Sequence, residues 1–344
     1  MALTEWYVRP DDNDTAGDGS SGDPYGDLQA LLDNEVMSTS GGTRINISDF
    51  NGTAEILAAN ADWTTAFFLT TSPSVNNQLI ISGYTSAAGD GGIGTIDGNA
   101  LYSGGLLNAK NFITLRNLHF TNCGSITYMF RVGIYCLVDN CEFDVFTGNA
   151  ALGTGNYALI TNNYFHNMAA TAVETTICGV VGNRFEDGTN KLTGGIAFAA
   201  DGGFVIGNTF WFNNTATAYA VNHRINCYIA NNSFVNQLAC VNHAIQGDGT
   251  DKGCGIIENN LIRGWDGTAG EAIELASAAQ TKIVRGNGFF ENTAEITNPT
   301  QALFTENNET LTASPYTDDT TKDFRPVDTD NVKEGSLPGG IGLY

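Results

Sequence analysis

A short phrase recurs eight times between residues 117 and 289, and it strongly constrains the fold. Each copy is an asparagine followed, after one or two residues, by a large apolar residue. The asparagines are Asn117, Asn140, Asn163, Asn183, Asn208, Asn232, Asn260 and Asn287, and the apolar residues are Phe120, Phe143, Phe165, Phe185, Phe210, Phe234, Ile262 and Phe289. Successive apolar residues lie 20 to 28 residues apart. A period in the twenties indicates a solenoid, because each repeat can bury its apolar face only against its neighbours.

The residues between the asparagines indicate strands. Short apolar and often β-branched runs, such as residues 112–115 and 204–206, precede the asparagines, and a second run, such as 221–225, lies further along the repeat. Runs of this length and composition are typical of buried strands. Nothing from residue 108 to 292 has the caps and 3.6-residue period of a helix. The sequence therefore predicts an all-β fold, a single-stranded parallel β-helix.

The repeated asparagines are predicted to be structural. Asparagine tolerates the left-handed backbone region and hydrogen-bonds its own backbone, so it suits a sharp turn between strands. Placed at one turn of every coil, the amides are expected to stack about 4.8 Å apart and to bond one another as a ladder. The apolar residue that follows then points into the core and stacks on its equivalents in neighbouring coils.

The N-terminal segment resembles the entry of a known superfamily. Residues 6–14 (WYVRPDDND) are followed by an Asp/Gly-rich stretch, 17–25, and by the leucine-rich residues 28–32. This order is similar to the right-handed parallel β-helices of the pectin lyase-like superfamily, in which a strand and a loop lead into a short helix that caps the solenoid. The resemblance implies a helix with Leu28, Leu31 and Leu32 on one buried face. The superfamily hosts lyases, hydrolases, adhesins and virus spikes, so it indicates fold rather than function.

We predict three segments from these patterns. Residues 1–34 form the N-terminal strand, loop and capping helix, and residues 35–310 form the parallel β-helix. Residues 311–344 form a turn-rich tail without repeats, which covers the last coil or contacts a neighbouring subunit.

The charge of the chain excludes some partners. There are 37 acidic and 15 basic residues, which gives a net charge of −22. Nucleic acids are not expected as partners, because phosphate binding needs clustered Lys and Arg. Polyanionic substrates are disfavoured unless calcium bridges the charges.

The first residues do not resemble a secretory signal, and no apolar run approaches 18 residues, so neither secretion nor a membrane partner is expected.

The seven cysteines are expected to be reduced. Cys136, Cys178 and Cys227 each lie seven residues before one of the repeated phenylalanines, at one equivalent inward position. They belong to alternating coils, about 10 Å apart, which is too far for a disulfide. We interpret them as small buried thiols of a chain that folds in a reducing cytoplasm.

One polar stripe is the candidate binding site. Alignment of the second strands predicts an outward-facing column of side chains. This column either binds a glycan or is an ordinary solvated strand face. The candidate residues are Arg131, Glu174, Asn222, His223, Arg224, Asn242, His243 and Glu274. The tripeptides 221–223 and 241–243, both Val-Asn-His, are predicted to stack one coil apart with their imidazoles side by side.

No catalytic residue, metal site or cofactor is predicted. Glycoside hydrolysis needs two carboxylates roughly 5–9.5 Å apart, and Glu174 and Glu274 are expected to lie about four coils apart. Glu271 with Glu274, or Asp248 with Asp251, are closer in sequence but have no evident partner. The Gly-His-Gly and Arg-Ile-Lys motifs of polygalacturonase-like hydrolases are absent. A calcium loop at residues 11–14 remains an open alternative.

Two classes of function follow from these observations. The first, which we favour, is a non-enzymatic protein of the bacteriophage virion surface, either a head-decoration or a tailspike-like structural protein. It implies other virion proteins as partners, a homo-oligomer (most simply a trimer), and synthesis in the host cytoplasm without a signal peptide. The alternative is a polysaccharide-binding or polysaccharide-degrading β-helix, a lyase or a hydrolase.

Overall fold

The chain forms two compact units, Met1–Phe165 (unit 1) and His166–Tyr344 (unit 2). The computed structural model describes residues 3–10, 17–38, 41–48, 55–56, 73–98, 106–123, 128–198, 202–215, 217, 219–224, 226–247, 255–268, 270–275, 282–297, 303–318, 320 and 322–326.

Unit 1 contains one helix and fourteen short strands among the described residues. In chain order these are β1 (Thr4–Val8), α1 (Leu28–Asn34), β2 (Thr43–Ser48), β3 (Glu55–Ile56), β4 (Leu79–Tyr84), β5 (Gly94–Asp97), β6 (Leu106–Lys110), β7 (Ile113–Arg116), β8 (Leu118–Thr121), β9 (Tyr128–Val132), β10 (Leu137–Asp139), β11 (Glu142–Phe143), β12 (Ala150–Thr154), β13 (Ala158–Thr161) and β14 (Tyr164–His166), within which the unit ends.

Unit 2 consists of strands throughout its described residues. They are β15 (Thr171–Thr175), β16 (Cys178–Val181), β17 (Arg184–Glu186), β18 (Gly194–Phe198), β19 (Phe204–Ile206), β20 (Thr209–Phe212), β21 (Tyr219–His223), β22 (Tyr228–Ala230), β23 (Ser233–Asn236), β24 (His243–Gly247), β25 (Gly255–Glu258), β26 (Leu261–Arg263), β27 (Glu271–Glu274), β28 (Lys282–Arg285), β29 (Gly288–Phe290), β30 (Ala294–Thr297), β31 (Leu303–Glu306), β32 (Glu309–Thr310), β33 (Tyr316–Asp318) and β34 (Asp323–Pro326).

Three parallel sheets run through each unit. In unit 1, sheet A has the order β1-β2-β4-β7-β10-β13, sheet B the order β3-β5-β8-β11-β14, and sheet C the order β6-β9-β12. In unit 2, sheet A has the order β16-β19-β22-β25-β28-β31, sheet B the order β17-β20-β23-β26-β29-β32, and sheet C the order β15-β18-β21-β24-β27-β30. From β2 to β32, consecutive strands belong to different sheets, and each strand pairs in parallel with its equivalent one repeat away. The all-β parallel solenoid predicted from the sequence is therefore confirmed.

The predicted N-terminal helix is present as α1. Asp27 is its N-cap, and its carboxylate accepts a hydrogen bond from the amide of Ala30, which satisfies one of the free amides of the first turn. Leu28, Leu31 and Leu32 are all buried, so the apolar face predicted from their spacing is confirmed. None of the described residues forms a helix long and apolar enough to cross a membrane.

The repeated phenylalanines stack inside each unit. In unit 1 the rings of Phe143 and Phe165 lie 4.8 Å apart and are inclined by 4°. In unit 2 Phe210 lies 4.6 Å from Phe185 and 4.8 Å from Phe234. These side chains are fully buried. Because paired strands place each ring directly over the next, the period of the sequence becomes a continuous aromatic core.

The asparagines divide into two columns, whereas the sequence analysis predicted one. In unit 2 each ladder asparagine donates from its backbone amide and its side chain to the Oδ1 of the next, at 2.8–3.0 Å. This ladder joins Asn183, Asn208, Asn232, Asn260 and Asn287, and continues to Asn308. In unit 1 Asn163 accepts from the amide of Cys141.

Asn117 and Asn140 bond one another as predicted, but they belong to a second column. Both have positive φ, 55° and 53°, and Asn140 donates to the side chain of Asn117. In unit 2 the equivalent left-handed position immediately precedes each ladder asparagine. It is occupied by Gly182, Gly207, Asn231, Asn259, Gly286 and Asn307. The turn thus uses two adjacent residues, one for left-handed backbone and one for hydrogen bonding.

A C-terminal hairpin covers the outer face of sheet B in unit 2. Strands β33 and β34 pair in antiparallel fashion, and Tyr316 is buried with its hydroxyl donating to the carbonyl of Leu261. Lys322 pairs with Glu186 and lies 4.3 Å from the ring centroid of Trp211. The beginning of the predicted tail therefore folds back onto unit 2, while residues 327–344 lie outside the described part of the chain.

Burial makes the thiols poor nucleophiles. The six described cysteines are buried thiols, and burial raises the pKa of Cys123 and Cys141 to about 12. At pH 8 a rise of about three units in the pKa from its ordinary value corresponds to roughly 1,000-fold less thiolate.

In a Cys254→Ser variant, we expect Ellman's reagent to react at least ~100-fold more slowly with the native protein than with protein in guanidinium chloride. Rapid modification of the native variant would contradict this burial.

Candidate functional site

The outer face of sheet C in unit 2 carries two rows of outward side chains. The strands β15, β18, β21, β24 and β27 each have two consecutive buried residues, such as Ala244 and Ile245 in β24, and the residues on either side of this pair face outward. The first row is Thr171, Gly194, Tyr219, His243, Glu271 and Ala294. The second row is Glu174, Ala197, Asn222, Gln246, Glu274 and Thr297. The core-facing pairs thus fix the position of every polar group on this face.

His243 lies between two carboxylates. Its Nδ1 is 3.2 Å from Oε2 of Glu271, its neighbour in the first row, and its Nε2 is 3.3 Å from Oε2 of Glu274 in the second row. The imidazole side chain is only 16% exposed. Thr297 donates its hydroxyl to Glu271 and fixes that carboxylate. Each ring nitrogen of His243 therefore has a carboxylate within ion-pair distance.

Tyr219 extends this polar face. Gly194 is its neighbour in the first row, and a Cβ at Gly194 would lie only 2.7 Å from the tyrosine ring. The glycine therefore leaves room for the ring to reach across it towards the hydroxyl of Thr171. Burial raises the pKa of Tyr219, and the nearby Glu174 carboxylate raises it further. The phenol consequently keeps its proton at neutral pH and remains a hydrogen-bond donor.

Asn222 presents a buried acceptor on the same face. Its Oδ1 is out of contact with solvent, and no hydrogen bond reaches it from the described residues. Asn222 lies between Ala197 and Gln246 in the second row. An acceptor left without a partner costs about 1–3 kcal/mol. The residue as a whole is half-buried.

The structure brings together only some of the residues predicted from the sequence. Glu174, Asn222 and Glu274 lie in the second row, and His243 lies in the first. Arg131 lies in unit 1, opposite Gly153, and its guanidinium is 5.3 Å from the ring centroid of Tyr128.

The predicted stacking of the two Val-Asn-His tripeptides is wrong. His243 pairs with Tyr219, whereas His223 pairs with Gly247 and is buried. Asn242 is not in the outward column either, because it precedes β24 and donates to the carbonyl of Thr217. Arg224 follows β21, and its carbonyl oxygen lies 3.0 Å from Nδ1 of His223. The two imidazoles therefore do not lie side by side.

Tyr219 and Gln246 were missed by the sequence analysis, although a signal for them exists. The outward residues flank a small residue and a β-branched residue in Thr171-Ala-Val-Glu174, Gly194-Gly-Ile-Ala197, Tyr219-Ala-Val-Asn222, His243-Ala-Ile-Gln246 and Glu271-Ala-Ile-Glu274. Aligning these inward pairs gives the observed register. The acidic residues 11–14 and the pair Asp248 and Asp251 lie outside the described residues.

Comparisons with known proteins identify the fold. No protein family model matches the sequence, and no curated protein matches it. A crystal structure of pectate lyase Pel9A is similar over 100% of this chain and 96% of its own, with a TM-score of 0.66 and 13% identity. A mannuronic acid specific polysaccharide family 6 lyase from human gut microbiota is similar over 90% of this chain and 83% of its own, with a TM-score of 0.51 and 11% identity. The fold is the right-handed parallel β-helix of the pectin lyase-like type.

The identities of these similar structures are too low to transfer any residue role or substrate to this pectin lyase-like β-helix. Its candidate site is therefore defined by its own side chains. Three carboxylates, an imidazole, a phenol and two amides occupy the outer face of sheet C in unit 2, and all of them bond hydroxyl groups readily. The surplus of carboxylates disfavours an anionic ligand.

Proposed function

We propose that this β-helix binds a neutral polysaccharide along the outer face of sheet C in unit 2. The observation that carries the proposal is the arrangement around His243, where the carboxylates of Glu271 and Glu274 lie 3.2 and 3.3 Å from the two ring nitrogens. Asn222, half-buried in the second row of the same face, adds an amide side chain for a ligand hydroxyl. The two similar solved structures reported above are a pectate lyase and a mannuronic acid specific polysaccharide lyase, which agrees with a carbohydrate ligand for this chain.

Binding to a panel of polysaccharides tests the proposal. Neutral galactan, arabinan, xylan and β-glucan would be compared with polygalacturonate and alginate by affinity electrophoresis and calorimetry. We expect binding to at least one neutral polymer and none to the anionic polymers without calcium, because the net charge is −22 and like charges repel.

Replacing Asn222 by alanine should weaken binding about tenfold, which corresponds to one hydrogen bond of about 1.4 kcal/mol.

Asn242→Ala is the matched control for Asn222→Ala. Both asparagines were candidates from the sequence, but only Asn222 lies in the outward row. The control variant should bind within twofold of the unmodified protein, after circular dichroism has shown that both variants are folded. Equal loss in the two variants, or no binding to any neutral polymer, would overturn the proposed site.

The role at a phage virion surface, favoured by the sequence analysis, remains a prediction. The similar structures reported above are carbohydrate-active enzymes, and none of them is a virion protein. Virion partners, a trimeric assembly and a virion location therefore rest on the sequence resemblance and on the charge and motif content of the sequence. Glycan binding requires none of them, and a glycan-binding β-helix is compatible with either setting.

A further inference from the structure

A second cluster of titratable side chains lies in unit 1, on the outer face of sheet B. His119 in β8 and Glu142 in β11 are direct partners in the parallel register. Nε2 of His119 lies 3.2 Å from Oδ1 of Asp144 and 3.9 Å from Oε1 of Glu142. The three candidate ligand atoms all lie within 4.8 Å of one another. One nitrogen therefore faces two carboxylates.

The strands hold these three residues firmly in place. Leu118 and Phe120 on either side of His119 are fully buried, and so is Phe143 between the two acidic residues. The amide of Asp144 donates to the carbonyl of Phe120 at 3.0 Å, which continues the strand pairing past the end of β11. The cluster is thus attached to the stacked phenylalanine core, and only side-chain rotation changes its geometry.

One of the separations already matches that of two ligands on a transition metal. Ligand atoms at about 2.1 Å from a metal, with tetrahedral or octahedral angles, lie roughly 3.0–3.4 Å apart. The distance from His119 to Asp144 already falls in this range, and Glu142 needs to approach His119 by less than 1 Å. All three side chains are half-buried, with exposures of 24%, 32% and 16% for His119, Glu142 and Asp144. Water therefore has access to complete the coordination.

The cluster differs from the other histidine–carboxylate group in the protein. At His243 the two carboxylates face different ring nitrogens. These nitrogens lie on different edges of the imidazole, so a single ion cannot contact one nitrogen and both carboxylates. At His119 both carboxylates approach the same Nε2. Only the second arrangement allows an ion to sit between the nitrogen and both oxygens.

The surroundings add further negative charge. Asp97 ends β5, two residues beyond Thr95, the partner of His119 in the register. Its carboxylate accepts a hydrogen bond from the side chain of Asn122. The same face thus carries three carboxylates and one imidazole, a combination that favours a cation and suits a borderline-soft divalent ion.

We propose that His119, Glu142 and Asp144 form a binding site for a divalent transition-metal ion of the zinc type. The ion would link β8 to β11 and so connect two neighbouring coils of unit 1. The sequence analysis predicted no metal site, because the ligands come from different repeats and lack the short spacing of known zinc motifs. Their convergence depends on the register of the two strands.

Calorimetric titration of the full chain with zinc chloride, after removal of metals with EDTA, tests the proposal. In excess magnesium and calcium, we expect one zinc ion to bind per chain. His119→Asn and Asp144→Asn should each weaken zinc binding at least tenfold, because each removes one of three protein ligands. Cobalt titration followed by visible absorption provides a second readout, since direct nitrogen ligation of cobalt changes the spectrum.

His243→Asn is the matched control, since it removes a histidine that also has two carboxylate neighbours. We expect zinc affinity within twofold of the unmodified protein for this variant. Circular dichroism would show that all variants are folded. Zinc binding by His119→Asn as tight as that of the unmodified protein would overturn the proposal and leave an ordinary ion pair. A loss of binding in His243→Asn alone would also overturn it.

Discussion

Replacing Phe210 by alanine is expected to lower the free energy of unfolding by about 3–5 kcal/mol. Phe210 is fully buried and stacks between Phe185 and Phe234, at 4.6 and 4.8 Å. Loss of the ring leaves a cavity and removes two favourable ring pairs, worth about 0.5–1.5 kcal/mol each. The strands on both sides are hydrogen-bonded to their neighbours, so the backbone has little freedom to close the cavity.

Urea unfolding followed by circular dichroism measures this effect. Phe204→Ala is the control, because Phe204 lies in β19 of the same unit but is 40% exposed. Its loss should cost less than about 1 kcal/mol, since an exposed side chain leaves no cavity. If the two variants have the same midpoint, the aromatic stack does not stabilise the solenoid as the structure indicates.

Replacing Asn232 by alanine is expected to cost about 3–4 kcal/mol. The Oδ1 of Asn232 accepts from both the backbone amide and the side chain of Asn208. Its Nδ2 donates to the carbonyls of Val205 and Ala230 and to the side chain of Asn260. The side chain is fully buried, so water cannot replace these partners. Several buried groups would lose a hydrogen bond together, each at a cost of about 1–3 kcal/mol.

The adjacent residue provides the control for the ladder. Asn231 has φ of 57° and contributes the left-handed backbone of the same turn, a conformation that glycine adopts without steric cost. Asn231→Gly should therefore change the unfolding free energy by less than about 1 kcal/mol. Comparable losses in the two variants, measured by urea unfolding, would contradict the division of the turn into two roles.

The fold was predictable because its signals are periodic. The spacing of Phe143, Phe165, Phe210 and Phe234 predicted stacked coils, and these rings stack. The spacing of Leu28, Leu31 and Leu32 predicted the buried face of α1. In both cases burial follows from spacing within the chain, which the sequence displays directly.

The asparagine columns show where this reasoning stops. Asn117 and Asn163 both precede a phenylalanine, but one is separated from it by two residues and the other by one. That difference of one residue separates the left-handed position from the ladder position, as the φ of 55° at Asn117 shows. The period of the repeat alone does not distinguish these two neighbouring roles.

The candidate site was harder to predict because it depends on register. The shared Val-Asn-His sequence suggested that Val241 is equivalent to Val221, but Val241 is 43% exposed whereas Val221 is buried. Ile245 occupies the equivalent inward position. Burial of Ala244 and Ile245 outweighs the similarity of the tripeptides, because apolar side chains in the core stabilise one register over the other.

The two-row face of sheet C has a consequence for how such a protein changes over time. The buried pair in each strand, such as Ala272 and Ile273 in β27, secures the strand, while the flanking residues contribute little to the core. Substitutions at those flanking positions therefore leave folding nearly intact. Natural or laboratory selection can therefore change the surface by substituting two residues in each strand. The protein can acquire new ligand preferences in this way while its scaffold stays unchanged.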